Sequence, residues 1–207
     1  MEDRCGYKVL DHGFVALVES MGSDLSIVRN ARVSYDAEWR TGEDAGKDEK
    51  LIKYLINNQH WSPLEMVSVC LEVETTRDIA RQMLRHRSFS FQEFSQRYAD
   101  PTKDLDFVIR EARLQDTKNR QNSVELGDSD NDNLLKETWR KKQEFVIAAV
   151  KDAYTWAVEN GIAKEQARAV LPEGNTVSRL YMNGTLRSWI HFIELRSANG
   201  TQKEHQE

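Results

Sequence analysis

The chain has 207 residues, of which 39% are hydrophobic, 30% charged and 9% aromatic. That balance excludes a disordered chain, a collagen-like repeat and a disulfide scaffold, and suffices for one domain with a real core. The formal net charge of −5 argues against general nucleic-acid binding, because gripping a phosphate backbone needs a positive field.

No apolar run approaches the ~20 residues that span a bilayer, and the start MEDRCGYKVLDHG lacks the apolar stretch of a secretory signal. The expectation is a cytosolic protein without a membrane partner. Cys5 and Cys70 are the only cysteines, too few for a disulfide framework or a four-ligand zinc set. The charge is uneven: five Arg face one Asp and one Glu between Arg77 and Arg97, and six basic residues face three Glu between Lys164 and Lys203. Two cationic regions in an acidic chain suggest a compact anionic ligand rather than a long polyanion.

Along the chain, Gly13 to Gly22 encloses FVALVESM, a buried strand bounded by turn residues. Ser23 can cap a helix that runs to about Ser34, with Asp24 suited to its positive end. Residues 36–48 are polar with two Gly and read as a loop. A helix carrying Leu51, Tyr54 and Leu55 then stops before Ser62-Pro63. Val67, Val69, Leu71 and Val73 alternate with polar residues, the pattern of a half-buried antiparallel strand. From Thr76 to Arg87 the period becomes helical, placing Ile79, Ala80, Met83 and Leu84 opposite Arg77, Arg81 and Arg85.

Residues 115–133 lack apolar periodicity and include the acidic tract GDSDNDN, which reads as a mobile surface insertion. A long amphipathic helix follows from about Leu134 to Glu159, with Trp139, Val146, Ala149, Val150, Ala153 and Trp156 as its inner stripe, and Gly161 ends it. A short helix from Lys164 to Val170, an extended piece from Arg179 to Met182 and a last helical stripe of Leu186, Trp189, Ile190 and Ile193 complete the series. Helices and a few strands without regular alternation give an α+β fold class, and no linker divides the chain, so 1–207 reads as a single domain. The end TQKEHQE carries no stop signal, which leaves a continuation past Glu207 open.

No GxGxxG, complete P-loop, HExxH or GxSxG is present, and the five His do not sit at familiar metal spacing, so no metal is expected. The segment Arg85-His86-Arg87-Ser88-Phe89-Ser90-Phe91-Gln92-Glu93-Phe94-Ser95-Gln96-Arg97 stands out at a helix end and in the turn beyond it. One Arg there would complement the negative helix terminus. Three, beside His86, Gln82, Glu93 and Ser95, supply planar charged forks and hydrogen-bonding partners for a phosphate and a planar heterocycle.

This RHR-x7-S segment resembles the signature of the flavin-dependent thymidylate synthases. The similarity continues through DLSIVRNARVSYD, HWSPLE, DIARQMLRHR, ARAVLP and GTLRSWIHFIELR, covering most of the chain outside residues 100–160. The resemblance implies an antiparallel sheet flanked by helices, including a long central helix. It also implies a homotetramer with FAD sites at subunit contacts, and conversion of dUMP to dTMP with methylenetetrahydrofolate as carbon donor and NADPH as reductant. A related flavoenzyme delivering hydroxymethyl to the same nucleotide is the alternative. An Arg77/Arg81/Arg85 nucleic-acid module is a more distant one.

Carried over residue by residue, the resemblance places Ser62, Arg85, His86, Arg87, Glu93, Arg187 and His191 at FAD. It places Gln82, Arg85, Glu93, Phe94, Ser95, Gln96, Arg97, Arg168 and Arg196 at dUMP, with Ser95 and Arg97 holding phosphate and Gln96 contributing backbone. His60 falls near the mouth of the folate and flavin site. Arg196 matches the catalytic cation beside pyrimidine N3 and O2, where a fixed positive charge stabilises charge that builds on the ring. Arg168 has an alternative role as a partner of Glu165, and Arg77, Arg81 and Arg179 read as structural or surface residues. Neither cysteine lies in a cationic setting that favours thiolate, in keeping with chemistry carried by flavin rather than a sulfur nucleophile.

Overall fold

The computed structural model describes residues 8–10, 13–34 and 45–206. Strand β1 (Lys8–Leu10) pairs with β2 (Gly13–Met21), and helices α1 (Asp24–Arg32) and α2 (Ala45–Asn57) follow. A 3-10 helix, Ser62–Met66, leads into β3 (Ser68–Thr76), α3 (Arg77–Met83) and β4 (Phe89–Glu93). After the single turn α4 (Pro101–Asp104), β5 (Arg113–Gln115) and β6 (Ser123–Glu125) form a two-stranded ribbon before the 30-residue α5 (Asp130–Glu159). The chain closes with α6 (Lys164–Ala167), a 3-10 turn Arg168–Val170, β7 (Val177–Thr185), α7 (Leu186–Arg196) and α8 (Lys203–Gln206).

The main sheet has the order β1-β2-β3-β7-β4 with every neighbour antiparallel. The α+β class and the antiparallel sheet flanked by helices, including a long one, are as read from the sequence. Alternation along β3 sends Val69, Leu71 and Val73 to the face covered by α3 and α7, where Val73, Ile79, Met83, Leu180, Met182 and Trp189 make the principal core. Burying each such side chain contributes roughly 1.5–3 kcal/mol. A second cluster, Ile27, Leu55, Leu64 and Val67, joins α1, α2 and the 3-10 helix to the base of α7. On the opposite face Arg179 binds Glu74 at 2.6 Å and reaches Glu72 at 3.5 Å, which compensates the burial of a carboxylate that simple alternation would expose. Two glycines are required by close approach. A Cβ on Gly13, at φ 154°, would meet the Glu74 carbonyl oxygen at 1.8 Å, and one on Gly184 would meet the Phe89 ring at 2.4 Å.

Several expectations change. Residues 45–48, read as loop, open α2, where Asp48 occupies the first turn and takes an ion pair from Arg32 at 3.0 Å; residues 35–44 lie outside the described residues. The helix expected through Arg87 stops at Met83, because the chain must turn to place Phe89 against Gly184 as the edge strand β4. The segment 115–133 contributes to the β5-β6 ribbon, and its acidic tract starts α5: Ser129 is the N-cap, accepting from the Asp132 amide, while Asp130 and Asp132 face the positive helix end.

The buried stripe of α5 also differs. It runs through Gln143, Tyr154 and Ala157, whereas Trp139, Val146 and Trp156 are exposed. Gln143 is inside because its carboxamide completes the backbone of Arg110, accepting from its N–H and donating to its carbonyl, both at 2.8 Å. A polar residue with two buried backbone partners therefore takes the position that apolar periodicity assigns to its neighbours.

Candidate functional site

Three groups of side chains contain all the site residues expected from the sequence. The first is built by the turn that ends α3. The Leu84 amide donates to Ala80, the His86 amide to Met83 and the Phe89 amide to the His86 carbonyl, so Arg85-His86-Arg87 becomes a tight connection between helix and edge strand. Arg85 and Arg87 point out, exposed and without an ion pair among the described residues, whereas His86 turns in. Its ring lies edge-on to Phe192, centroids 4.8 Å apart. From the last turn of α7, Arg196 donates to His86 Nε2 through Nε at 3.0 Å and lies 2.7 Å away through Nη2, while Nη2 also reaches the Gln82 carbonyl at 3.3 Å.

An arginine only donates, so His86 Nε2 is the lone-pair nitrogen and the ring is neutral. Burial and the Arg196 charge both push the His86 pKa down, in agreement. Burial, and then the positive charge of nearby Arg85, lower the Arg196 pKa as well. An apolar cavity of about 300 Å³ opens beneath Arg196, lined by Ile79, Met83, Trp189, Phe192 and His205.

The second group surrounds the end of β4. Glu93 accepts from the Ser178 hydroxyl at 2.7 Å and pairs with Arg77 at 3.5 Å, and the Phe94 amide donates to the Arg179 carbonyl at 2.8 Å. Ser95 Oγ accepts from the Arg97 amide at 3.4 Å, and the Arg97 guanidinium lies 3.3 Å from Glu165. Glu165 thus holds Arg97 rather than Arg168. Arg168, on its 3-10 turn, is exposed and unpaired among the described residues. Gln96 is buried, and its Nε2 has no hydrogen-bond partner among the described residues.

The third group lies on the other flank of α7. Ser62 starts its 3-10 helix in an exposed position, Arg187 forms an ion pair with Glu65, and His191 meets Trp61 edge-on with centroids 4.5 Å apart. His60 is exposed beside Tyr54. Among the described residues, no hydrogen bond or ion pair links one group to another. The Arg77/Arg81/Arg85 face is not a free cationic stripe, since Arg77 pairs with Glu93, Arg81 with Glu173 at 2.5 Å, and Arg179 with Glu74.

Cys70 sits on β3, where burial and then Glu19 push its thiol pKa up, the reverse of what a nucleophile needs. Cys5 lies outside the described residues. Among the described residues no helix is long and apolar enough to cross a membrane.

Sequence reasoning missed the C-terminal turn. Gln82 Nε2 donates to Gln202 Oε1 at 3.0 Å, and Gln82 Oε1 lies 3.2 Å from His205 Nδ1. Between them Glu204 enters a buried ionic network with Arg110, at 3.0 Å, and Arg113; Arg110 also pairs with Asp78 at 2.8 Å and donates to the Gly174 carbonyl at 3.1 Å. No local signal in TQKEHQ could reveal partners some 90 to 120 residues away.

The family described as thymidylate synthase complementing protein matches residues 16–207. The chain is 50% identical over 158 residues, 76% of its length and 70% of the relative, to a flavin-dependent thymidylate synthase from Synechocystis. It is 49% identical over 155 residues, 75% of the chain and 68% of the relative, to a probable flavin-dependent thymidylate synthase from Paramecium bursaria Chlorella virus 1. A flavin-dependent thymidylate synthase from Kosmotoga olearia matches over 97% of the chain and 83% of its own length at 38% identity. With the RHR turn, its partner Arg196 and these likenesses together, the chain belongs to the thymidylate synthase complementing protein family.

Proposed function

We propose that this chain is a flavin-dependent thymidylate synthase that converts dUMP to dTMP, using FAD as cofactor, methylenetetrahydrofolate as carbon donor and NADPH as reductant. The observation that carries the reading is the inward His86 clamped by Arg196, flanked by Arg85 and Arg87, which are exposed and unpaired among the described residues. Free guanidinium forks suit a pyrophosphate or an electron-rich planar ring, which is the donor chemistry FAD requires, so the residues present fit the group. FAD, when bound, supplies the two-electron redox chemistry that converts a transferred methylene to a methyl group.

The chain's own residues do the rest. Arg85, His86, Arg87, Ser62, Arg187 and His191 hold and orient the flavin. Gln82, Arg85, Phe94, Ser95, the Gln96 backbone, Arg97 and Arg168 hold the nucleotide, with Ser95 and Arg97 on the phosphate and Glu93 shared between the two ligands. Arg196 places a fixed positive charge beside pyrimidine N3 and O2 as negative charge builds on the ring. The balanced reaction consumes dUMP, methylenetetrahydrofolate and NADPH with a proton, and releases dTMP, tetrahydrofolate and NADP+.

That the candidates fall into separate groups, and that α5 exposes Trp139, Phe145, Val146 and Trp156, favours assembly of each site from several copies in a homotetramer. We read 1–207 as one domain of that assembly, acting in the cytoplasm, or in a host cytoplasm if the gene is viral. The test is an absorption spectrum after FAD addition and desalting, followed by titration with dUMP. The reading expects a retained flavin band near ~450 nm that shifts with dUMP and not with an unrelated nucleotide. A colourless protein indifferent to dUMP contradicts it.

A further inference from the structure

The carboxamide of Gln82 is held at both ends. Its Nε2 donates to Gln202 and its Oε1 meets His205 Nδ1. Because Oε1 can only accept, His205 Nδ1 carries the proton. His205 is 9% exposed, and burial, then the positive charge of Arg196, push its pKa down to about 4, so the ring is neutral near pH 7 and has one N–H to give. Its other nitrogen is buried without a hydrogen-bond partner among the described residues, so the ring gains nothing from the opposite tautomer. The buried Glu204 network with Arg110 and Arg113 anchors the turn that carries both partners.

A primary amide offers two N–H donors and two oxygen lone pairs. With one of each engaged, half-buried Gln82 retains one N–H and one lone pair on fixed sides. Uracil presents a carbonyl beside N3–H, and cytosine presents an amine beside a bare N3. A carboxamide free to turn by 180° matches either edge; one held at both ends matches only one. Gln82 sits with the base-side cation, since Arg196 donates to its backbone carbonyl, whereas Ser95 and Arg97 lie in another group.

We propose that Gln202 and His205 are positioning residues that lock the Gln82 carboxamide in one orientation, making its open edge selective for a uracil over a cytosine nucleotide. The proposal rests on the nucleotide site proposed above.

The test compares dissociation constants for dUMP and dCMP on the flavin-loaded protein. His205→Leu removes the donor, Gln202→Leu removes the acceptor, and His205→Asn restores an N–H close to the Nδ1 position. The expected result is a preference for dUMP in the parent protein. It falls about tenfold in each Leu variant, as when a hydrogen-bonded reading group loses its fixed partner, and recovers in His205→Asn. Melting temperatures and flavin content identify a Leu variant that fails to fold, in which case the other Leu variant and His205→Asn decide. A folded Leu variant with an unchanged dUMP to dCMP ratio overturns the proposal and leaves the thymidylate synthase reading standing. Flavin-loaded parent protein that ignores dUMP overturns that reading, and this one with it.

Discussion

Arg196 donates to the lone-pair nitrogen of His86, so the last turn of α7 and the RHR turn after α3 are coupled through a charged hydrogen bond 110 residues apart in sequence. The contact fixes the guanidinium in place before any substrate arrives, and preorganised charge is worth most where charge develops during reaction. Arg196→Ala is therefore expected to lower kcat by roughly a hundredfold to a thousandfold. Flavin retention and KM for dUMP should change far less. Single-turnover kinetics with a flavin spectrum check both, and an unchanged kcat would remove Arg196 from the chemistry.

Two neutral histidines make the fold acid-sensitive. The pKa values of His86 and His205 are lowered in the folded chain, the latter to about 4, whereas an unfolded His titrates near ~6.5. As pH falls below that value the unfolded chain takes up protons that the folded chain refuses, so stability is full above it and is lost toward pH 4. Melting temperature should drop steadily between pH 6.5 and 4.5. His205→Gln should flatten that slope, and identical slopes would contradict the assignment.

Arg110 stands between Asp78, Glu204 and the Gly174 carbonyl. Glu204 has a 1% exposed side chain, so its charge depends on Arg110 and Arg113. Arg110→Met is expected to cost about 3–5 kcal/mol, the penalty for leaving a buried charge uncompensated. Chemical denaturation gives the value directly, and a loss below about 1 kcal/mol would show that Arg113 alone suffices.

The apolar face of α5, exposed among the described residues, supports the proposed assembly of several copies. Trp156 is 61% and Phe145 74% exposed, a poor arrangement in water for a monomer. Trp156→Glu should shift the mass seen by light scattering from tetramer toward smaller species. A parent protein already monomeric at micromolar concentration would contradict the assembly.

What the sequence made legible divides by range. The alternation of Val67 to Val73 and the stripe from Leu186 to Ile193 are local patterns, and β3 and α7 appear where they predict. Phe89 and Phe91 alternate with Ser90 and Gln92 as well, but five residues next to a cationic turn make too short a period to separate β4 from a loop. On α5 two apolar stripes coexist, and only the backbone needs of Arg110 explain why Gln143 faces inward. The RHR residues were visible as a dense motif. Their partners Gln202 and His205 were not, because hydrogen bonds across some 120 positions leave no periodic trace.

The most direct measurement of the central claim is product analysis. Flavin-loaded protein is incubated with dUMP, methylenetetrahydrofolate and NADPH, and the nucleotides are separated by chromatography. The account predicts dTMP in amounts equal to the NADPH consumed, dependent on FAD and retained when both cysteines are replaced by Ser. Hydroxymethylated dUMP without NADPH consumption, or no new nucleotide from a folded, flavin-loaded protein, would contradict it.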